Sequence, residues 1–321
     1  MDDSVRIVLN DAFQDRTMTA IDEAVDSGRP GNHTLRIIFS NGERVFLKLR
    51  IDGDAARNRR EVATTRYAID HCSVRVPTVI AADSAFNPPY LATSPLDGTP
   101  ASTDWEADES QETIARDIGR VVAGITTARF DDHGWITGGD RDHLDRETGA
   151  WSAVLADAIE REANDVPSER FAGVPERAAD LVRGKTDVLD GASPALLYPD
   201  VRLENVFQNG RPGVIDWEWT LVGDPGLGLC WGEAWVAERA DVSDSDRGRL
   251  RAAVHDGYCE WAGELPQRFD RRRPIYRLVT FLQTAKTFPL WAPSAPEATT
   301  DLAEWVRDEL DERFAAAEAV C

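Results

Sequence analysis

The period of the hydrophobic pattern changes within the first fifty residues. Apolar residues recur at helical spacing from Val5 to Phe13, and Ile21 and Ala24 continue that spacing, so the pattern predicts one or two short helices. Between residues 34 and 50, two runs rich in β-branched, aromatic and other apolar residues flank Asn41-Gly42. Because Asn-Gly favours a type I′ turn, this segment predicts a β-hairpin.

One helical segment and short strands follow before residue 98. Residues 54–71 are predicted to form a helix that Asp52 or Asp54 caps. Pro77–Ala81 and Tyr90–Thr93 are predicted strands with turn-forming residues between them. The N-terminal part is therefore expected to be a small antiparallel sheet crossed by one long helix.

Helical periodicity dominates after residue 98. The predicted helices cover residues 111–125, 144–163 and 175–189, and the segments 134–142 and 171–174 are predicted loops. Residues 195–216 are strand-like, and the remainder is predicted to be helical up to its end. The pattern thus predicts an α+β fold of two lobes, an N-terminal lobe over residues 1–97 and a larger, mainly helical C-terminal lobe over residues 98–321, with a hinge at about 94–98.

Composition limits the class of protein. The chain has 321 residues, 42% of them hydrophobic, which is enough to bury a substantial core. No segment approaches the roughly 18 to 20 uncharged apolar residues of a membrane helix, and the acidic N-terminus does not resemble a signal peptide. Four scattered cysteines and five histidines show no spacing typical of a disulfide framework or a zinc site. We therefore expect a cytoplasmic protein with no membrane partner.

The net charge of −21 argues against nucleic acid as a partner, because a protein that binds the phosphate backbone needs a positive surface. Only three of the 36 basic residues are lysines, namely Lys48, Lys185 and Lys286. Acidic residues are spread along the whole chain. At molar salt the Debye length falls to about 3 Å, so such a surface is screened and remains soluble. This composition predicts a halophilic source, in particular a halophilic archaeon.

Three polar residues lie around a predicted hairpin near residue 210. Asn205 directly precedes the first short strand, Asp216 directly follows the second, and Asp200 lies five residues before Asn205. An antiparallel hairpin brings Asn205 and Asp216 to the same end. Phosphoryl transfer needs oxygen ligands for Mg²⁺ and a group that orients the attacking hydroxyl, and this trio can supply both. The alternative is a polar turn with capping residues, in which Asp and Asn are common.

The segment Tyr198-Pro199-Asp200 to Asn205, followed by Ile215-Asp216-Trp217, resembles the catalytic segment of the aminoglycoside phosphotransferase and choline kinase family. The resemblance extends from about residue 30 to at least residue 240, and Asp224-Pro225 matches a further family element. It implies a protein-kinase-like fold and transfer of a phosphoryl group from ATP to a small-molecule hydroxyl. It also implies that Asp200 is the catalytic base and that Asn205 and Asp216 are Mg²⁺ ligands.

The resemblance assigns the nucleotide site to the N-terminal lobe. Lys48, which lies within an apolar strand, resembles the family lysine that contacts the α- and β-phosphates, and Glu61 resembles its ion-pair partner. Ser94 and Leu96 fall in the segment that resembles the hinge binding the adenine. Residues 27–32 are either a loop that covers the phosphates or an ordinary loop. The alternative to the nucleotide-binding role is that Lys48 is a surface lysine of a strand and Glu61 is a solvated residue of a helix.

Two departures from the family pattern define a rival hypothesis. Tyr198 and Pro199 replace the usual His-Gly, and Gly228 stands where an Asp is common. A catalytically silent kinase-like protein that binds nucleotide or a partner is therefore the alternative to an active kinase. A metal-dependent hydrolase is a weaker candidate, because the His or Asp cluster expected for two metals is missing.

The sequence leaves the acceptor open among aminoglycosides, choline, amino sugars and similar metabolites, and leaves open whether the chain is a monomer or a homodimer. Four tryptophans, at positions 231, 235, 261 and 291, are candidates for a cage around a quaternary ammonium, although core packing is commoner. Glu218 and Glu233 are candidates for binding a substrate amine.

Overall fold

A computed structural model describes residues 3–23, 31–105, 108–163, 169–239 and 242–321. Its helices are α1 (Asp3–Phe13), α2 (Ala55–His71), α3 (Asp108–Ile125), α4 (Trp151–Ala163), α5 (Val174–Arg183), α6 (Thr186–Leu189), α7 (Pro225–Val236), α8 (Asp244–Ala262), α9 (Phe269–Lys286), α10 (Phe288–Trp291) and α11 (Thr299–Glu318). Its strands are β1 (Met18–Glu23), β2 (Asn32–Phe39), β3 (Arg44–Arg50), β4 (Val79–Asp83), β5 (Tyr90–Thr93), β6 (Thr99–Pro100), β7 (His133–Gly139), β8 (Leu144–Gly149), β9 (Ala195–Leu197), β10 (Val206–Gln208), β11 (Gly213–Val214) and β12 (Leu221–Gly223). The predicted α+β class, with an antiparallel sheet at the N-terminal end and helices towards the C-terminal end, is confirmed.

The chain forms two compact units, and neither is a continuous segment. The first unit comprises residues 1–103, 136–146 and 203–220, and the second comprises residues 104–135, 147–202 and 221–321. The predicted lobes, by contrast, are continuous along the chain. As a result Asn205 and Asp216 belong to the same compact unit as the N-terminal sheet.

The main sheet of the first unit has five antiparallel strands in the order β1-β2-β3-β5-β4. Alternate residues of β2 and β3 point into one core, because successive side chains of a strand lie on opposite faces. That core contains Leu35, Ile37 and Phe39 of β2 and Val45, Leu47 and Leu49 of β3, and α1 covers it with Val5, Val8, Leu9 and Phe13. The odd-numbered positions of β3 therefore face α1, and the even-numbered positions face the other side.

Two details of this sheet differ from the prediction. Residues 18–23 form strand β1 rather than a second helix, because they pair with β2, with Ile21 opposite Ile37. The hairpin at residues 34–50 is confirmed, but its turn is not type I′. That turn requires positive φ at both central residues, whereas Gly42 has φ 83° and Asn41 is not among the described residues with positive φ. Phe39 donates its backbone N–H to Glu43 (2.9 Å), which closes a three-residue loop.

A second sheet of the first unit contains β6, β10 and β11 in the order β11-β10-β6. Arg75 holds this sheet in place through its backbone and its side chain. Its N–H donates to Pro212 O (3.0 Å) and its carbonyl accepts from Val214 N–H (2.9 Å). Its guanidinium donates to the carbonyls of Arg211 (2.6 Å) and Asp97 (2.8 Å). The hairpin between Asn205 and Asp216 is thus anchored at its turn.

The second unit is mainly helical. Helix α7 is buried over most of its length and packs against α3, α8 and α9. Helices α3 and α8 approach very closely, since a Cβ added to Gly257 would lie 1.9 Å from the carbonyl oxygen of Arg116. Only glycine permits that backbone contact. Among the described helices, none is both long and apolar enough to cross a membrane.

Three predictions in this part of the chain differ from the structure. Most of the predicted loop at residues 134–142 belongs to β7, and residues 144–149, predicted as the start of a helix, form β8. The three glycines of β7 are typical of a loop, which explains the prediction for that segment. The segment is nevertheless a strand, because Trp135 pairs with Leu221 of β12. The helix predicted from residue 175 to residue 189 is interrupted at Gly184, where α5 ends and α6 follows.

Candidate nucleotide and metal site

Strand β3 positions two cations on one face. Lys48 and Arg50 are two residues apart, so both lie on the face opposite to Leu47 and Leu49. Arg50 is fully buried, and the Lys48 side chain is 14% exposed. The strand pattern therefore delivers two adjacent positive charges into a largely buried environment, which requires carboxylate partners.

Three carboxylates surround the ammonium of Lys48. Its Nζ lies 2.8 Å from Asp216 Oδ1, 3.0 Å from Glu218 Oε2 and 3.1 Å from Glu61 Oε1. Glu61 is on α2, whereas Asp216 and Glu218 follow β11. One lysine thus joins the main sheet, the long helix and the segment after the hairpin within the first unit.

Arg50 shares two of these carboxylates. Its Nη1 lies 2.5 Å from Glu218 Oε2, and its Nη2 is paired with Glu61 Oε2. Nη1 also donates to Asn32 Oδ1 (2.6 Å). The other oxygen of Glu218 accepts from the indole N–H of Trp219 (2.9 Å). The cluster therefore contains two cations and three carboxylates, and both oxygens of Glu61 and of Glu218 are in contact with donors.

The electrostatics of the cluster keep Lys48 charged. Burial and the neighbouring Arg50 favour the neutral amine, but the carboxylates of Asp216, Glu218 and Glu61 outweigh them and raise the pKa of Lys48 above its ordinary value. Burial likewise opposes the charge of Arg50, while Glu61 and Glu218 raise the pKa of its guanidinium. Both side chains therefore remain cationic at physiological pH.

The hairpin places Asn205 and Asp216 at the same end, as the sequence predicts. Val206 pairs with Val214, and Ile215 donates its backbone N–H to the carbonyl of Asn205 (3.1 Å). Asp216 has φ 63°, a left-handed conformation that costs a non-glycine residue roughly 1–2 kcal/mol. Strained backbone of this kind is concentrated at functional sites.

Asp216 is the most accessible carboxylate of the cluster. Its side chain is 24% exposed, against 4% for Glu61 and 1% for Glu218. Oxygens of all three lie within 4.8 Å of one another. The ammonium of Lys48 already contacts all three, so the centre of the cluster is not a place for a metal ion. Asp216 Oδ2, by contrast, makes no hydrogen bond to a described residue, and carboxylate and amide oxygens suit Mg²⁺. Asp216, with Asn205 at the same end of the hairpin, is therefore the candidate for holding a magnesium ion.

Asp200 lies in the second unit, where Arg202 holds it. Arg202 Nη2 donates to Asp200 Oδ2 (3.0 Å), and Nε of the same guanidinium lies 2.7 Å from Asp200 Oδ1. The preceding carbonyl, that of Pro199, accepts from the indole N–H of Trp235 (3.0 Å). Trp235 and Arg202 thus hold Pro199 and the predicted base, respectively.

The other predicted site residues have defined structural environments. The hydroxyl of Ser94 accepts from Thr78 N–H (2.9 Å), and Leu96 packs against Gly213. The Ser94–Asp97 segment is therefore tied to its own unit. In the second unit Asp224 caps the N-terminus of α7, and its side chain accepts from Gly226 N–H (2.9 Å), which explains the Asp-Pro element structurally. Of the suggested phosphate-covering loop, residues 27–30 lie outside the described residues.

Sequence reasoning missed Arg50 and misassigned Glu218. The only signal for Arg50 is its two-residue spacing from Lys48 on one strand. Neither Glu218 nor Glu233 is available to bind a substrate amine: Glu218 pairs with Lys48 and Arg50, and Glu233 is buried and bonds to His255 and Arg273. The roles predicted for both carboxylates are therefore wrong.

The suggested tryptophan cage does not assemble from its four members. Trp231 stacks on Trp235 with ring centroids 6.3 Å apart. Trp291 instead packs against Phe288, and Trp261 is exposed at the end of α8.

The model of the phosphotransferase enzyme family matches residues 26–275. The chain belongs to the phosphotransferase enzyme family. The match covers the Lys48 cluster, Asp200 and the hairpin, and it confirms the predicted enzyme class. No curated protein sequence matches this phosphotransferase.

Solved structures of low sequence identity share the fold of this phosphotransferase. A putative fructosamine-3-kinase from Thermobifida fusca matches with TM-score 0.64 and 18% identity, covering 99% of each chain. The aminoglycoside phosphotransferase APH(4)-Ia matches with TM-score 0.62 and 14% identity, covering 98% of each chain. A macrolide 2′-phosphotransferase from Brachybacterium faecium matches with TM-score 0.54 and 17% identity, covering 99% of this chain and 98% of that one.

Proposed function

We propose that this phosphotransferase transfers the γ-phosphoryl group of ATP to a hydroxyl of a small molecule in the presence of Mg²⁺. The observation that carries the proposal is the contact of Lys48 with both Glu61 and Asp216, which links a candidate phosphate-binding cation to a candidate metal ligand. The similar phosphotransferase APH(4)-Ia has been crystallised with ADP and hygromycin B and, as another variant, with AMP-PNP and hygromycin B. These complexes support a nucleotide and a small hydroxyl compound as the two substrates.

Lys48 is the residue that binds the nucleotide phosphates in this proposal. Glu61 holds its ammonium, and Arg50 holds Glu61, so the position of the ammonium is fixed from two sides. We assign the adenine to the backbone of Ser94 and Leu96, which Thr78 and Gly213 support. Binding phosphates at Lys48 also supplies an anion that can replace Asp216 as its partner.

Asn205 and Asp216 are the residues that would hold Mg²⁺. When bound, the ion would neutralise the charge of the phosphate oxygens during transfer. Asp216 can turn an oxygen toward a cation without leaving Lys48, because only Oδ1 is engaged with that ammonium.

Asp200 is the proposed base. It orients the acceptor hydroxyl, and its carboxylate accepts the hydroxyl proton as the phosphoryl group is transferred. The ion pair with Arg202, which contacts both carboxylate oxygens, limits the rotation of the carboxylate. We further propose that the enzyme works in a salt-rich cytoplasm.

Thermal unfolding with ATP, with and without Mg²⁺, tests the nucleotide and metal assignments. We expect ATP to stabilise the protein more with Mg²⁺ than without it, because a ligand stabilises the state that binds it. The Asp216→Asn variant should lose this Mg²⁺ dependence, whereas the exposed Asp244→Asn control should keep it. Identical stabilisation with and without Mg²⁺ in the unmodified protein would exclude the metal site.

A further inference from the structure

Arginines of α8 and α9 converge on two carboxylates in the second unit. Arg251 of α8 shares Glu233 Oε2 with Arg273 of α9, at distances of 3.4 Å and 2.5 Å. Arg251 also shares Glu238 Oε1 with Arg277, at distances of 3.8 Å and 2.8 Å. Arg273 and Arg277 are four residues apart, so they lie on one face of α9. The guanidinium of Arg251 is therefore flanked by two others, and these three arginines form what we call the arginine cluster.

Positive charges outnumber negative ones around the arginine cluster. The second oxygen of Glu238 lies 2.9 Å from a fourth guanidinium, that of Arg313, which also pairs with Glu309 at 2.9 Å. These ion pairs join four guanidiniums to three carboxylates. His255, at 2.6 Å from Glu233 Oε1, adds a further positive charge when it is protonated. This local excess contrasts with the net charge of −21 of the chain.

Arg251 has the fewest close partners of the cluster. Its Nε is buried and donates no hydrogen bond to a described residue, and both of its carboxylate contacts are longer than a hydrogen bond. Arg277 donates to Glu238 through Nε, and its two terminal nitrogens make no hydrogen bond to a described residue. The side chains of Arg251 and Arg277 are 29% and 35% exposed. Because a guanidinium has five N–H donors, both can donate to a ligand that arrives from solvent.

The surroundings of Arg251 oppose its charge. Burial, followed by repulsion from Arg273, lowers the pKa of Arg251 below its ordinary value, although Glu233 and Glu238 attract the charge. An anion beside Arg251 would supply the missing attraction and accept the unused N–H groups. The planar fork of a guanidinium matches the paired oxygens of a tetrahedral oxyanion.

The arginine cluster lies on the opposite side of α7 from the segment that carries the proposed base. Glu233 of α7 contacts Arg251 and Arg273, whereas Trp235, two residues later, donates to the carbonyl of Pro199. Residues two apart on a helix do not share a face, because each residue is rotated by about 100° from the one before it. The cluster is therefore separate from the site of phosphoryl transfer.

We infer that the arginine cluster is a second ligand site, which binds a tetrahedral oxyanion such as phosphate or sulfate with Arg251 and Arg277 as its main donors. The bound anion joins α8 to α9 beside the buried carboxylates and thereby stabilises the second unit. The inference does not depend on the kinase activity, since no residue of the Lys48 cluster takes part. It has a consequence for stability: without the anion the charge of Arg251 contributes little, and its benefit depends on the anion.

Replacement of Arg251 separates an anion site from an ordinary network of ion pairs. Without an oxyanion, in the lowest KCl concentration that keeps the protein folded, Arg251→Met should leave the midpoint of thermal unfolding unchanged or raise it, because no hydrogen bond to a described residue is lost. Millimolar inorganic phosphate, added at constant ionic strength, should stabilise the unmodified protein in a saturable manner. Sulfate should give the same pattern.

The apparent Kd of phosphate from this titration locates the site. Arg251→Met should raise it about tenfold or more, which corresponds to about 1.4 kcal/mol, close to the contribution of one hydrogen bond to a charged group. Arg249→Met is the matched control on α8, because it removes an exposed guanidinium that pairs with Asp246 and Glu112. The control should keep the apparent Kd within about twofold of the unmodified protein. If Arg251→Met does not fold, Arg251→Gln, which also removes the charge, takes its place.

Three results would overturn the inference. An equal apparent Kd in the unmodified protein and in Arg251→Met would place the anion elsewhere, for example at Lys48. A response to phosphate that does not saturate would show that no specific site is present. A clear loss of stability in Arg251→Met without any oxyanion would identify the arginine cluster as an ordinary ion-pair network. Stabilisation by ATP and Mg²⁺, measured in the same samples, reports on the proposed function separately.

Discussion

The ammonium of Lys48 lies 2.8 Å from the carboxylate of Asp216, although 167 residues separate them in the chain. Both belong to the same compact unit, because residues 203–220 pack with the N-terminal sheet. The contact couples the candidate phosphate-binding residue to the candidate metal ligand. Changes at one are therefore expected to affect the other.

Replacement of Lys48 by methionine should weaken ATP binding and destabilise the fold. Removing one partner of a buried ion pair costs roughly 3–5 kcal/mol, and Glu61 and Glu218 would each lose the ammonium while keeping the contact with Arg50. Equilibrium denaturation and ATP titration measure the two effects. Lys48→Arg should restore part of the stability but little of the ATP affinity, since a planar guanidinium does not reproduce a point charge. Lys185→Met is the control. If Lys48→Met bound ATP as tightly as the unmodified protein, Lys48 would not be the residue that binds the phosphates.

Arg50 and Glu218 should be strongly coupled. The single variants Arg50→Met and Glu218→Gln each leave a buried charge with fewer partners, so each should lower the free energy of unfolding. The double variant should lose less than the sum of the two, with a coupling energy of about 0.5–3 kcal/mol in a double-mutant cycle. If the two substitutions had additive effects on the free energy of unfolding, Arg50 and Glu218 would have no coupling energy and this prediction would be wrong.

Acid should destabilise the second unit through Glu233. Burial opposes its charge, but hydrogen bonds from His255 and Arg273 outweigh burial and hold its pKa below the ordinary value of 4.5. A carboxyl whose pKa is lowered by folding contributes stability above its unfolded pKa, and that contribution disappears as the pH falls through the folded pKa. The unfolding free energy should therefore fall below about pH 4.5, and less steeply in Glu233→Gln than in the unmodified protein. If the free energy of unfolding depended on pH as steeply in Glu233→Gln as in the unmodified protein, this prediction would be wrong. Glu312→Gln, which removes an exposed carboxylate, is the control.

Salt should stabilise the protein. A net charge of −21 creates self-repulsion that is screened when the Debye length falls to about 3 Å at 1 M salt. The midpoint of thermal unfolding should rise from dilute buffer to molar KCl. A protein that is fully folded and active in dilute buffer but loses activity in molar KCl would contradict the predicted halophilic origin.

Local patterns were sufficient to predict most of the first unit. The β2–β3 hairpin, α2 and the hairpin between Asn205 and Asp216 all follow from short-range signals, namely period, caps and turn residues, and of the two predicted caps of α2 the structure selects Asp54. The family resemblance paired Lys48 with Glu61, and the structure brings these two residues into contact.

Other features depend on contacts that no local signal encodes. The spacing of its apolar residues predicts that the sequence of β1 is helical. Its conformation as a strand depends on pairing with β2, which no local signal encodes. Glu218 is predicted from the sequence as a candidate for binding a substrate amine, whereas in the structure it is buried and pairs with the two cations of β3. The left-handed conformation of Asp216 likewise needs the surrounding structure to hold it.

The most direct test of the proposed kinase activity is acceptor-dependent ADP production in molar KCl with Mg²⁺. The panel should include aminoglycosides, choline, amino sugars and apolar alcohols, and Asp200→Asn should be compared with the unmodified enzyme at equal occupancy by ATP. We predict turnover by the unmodified enzyme and a rate about 10²–10⁴-fold lower in Asp200→Asn, the usual contribution of a general base, with ATP binding retained. Equal rates in the two proteins would contradict the role of Asp200, and ATP binding without turnover of any acceptor would favour the catalytically silent alternative.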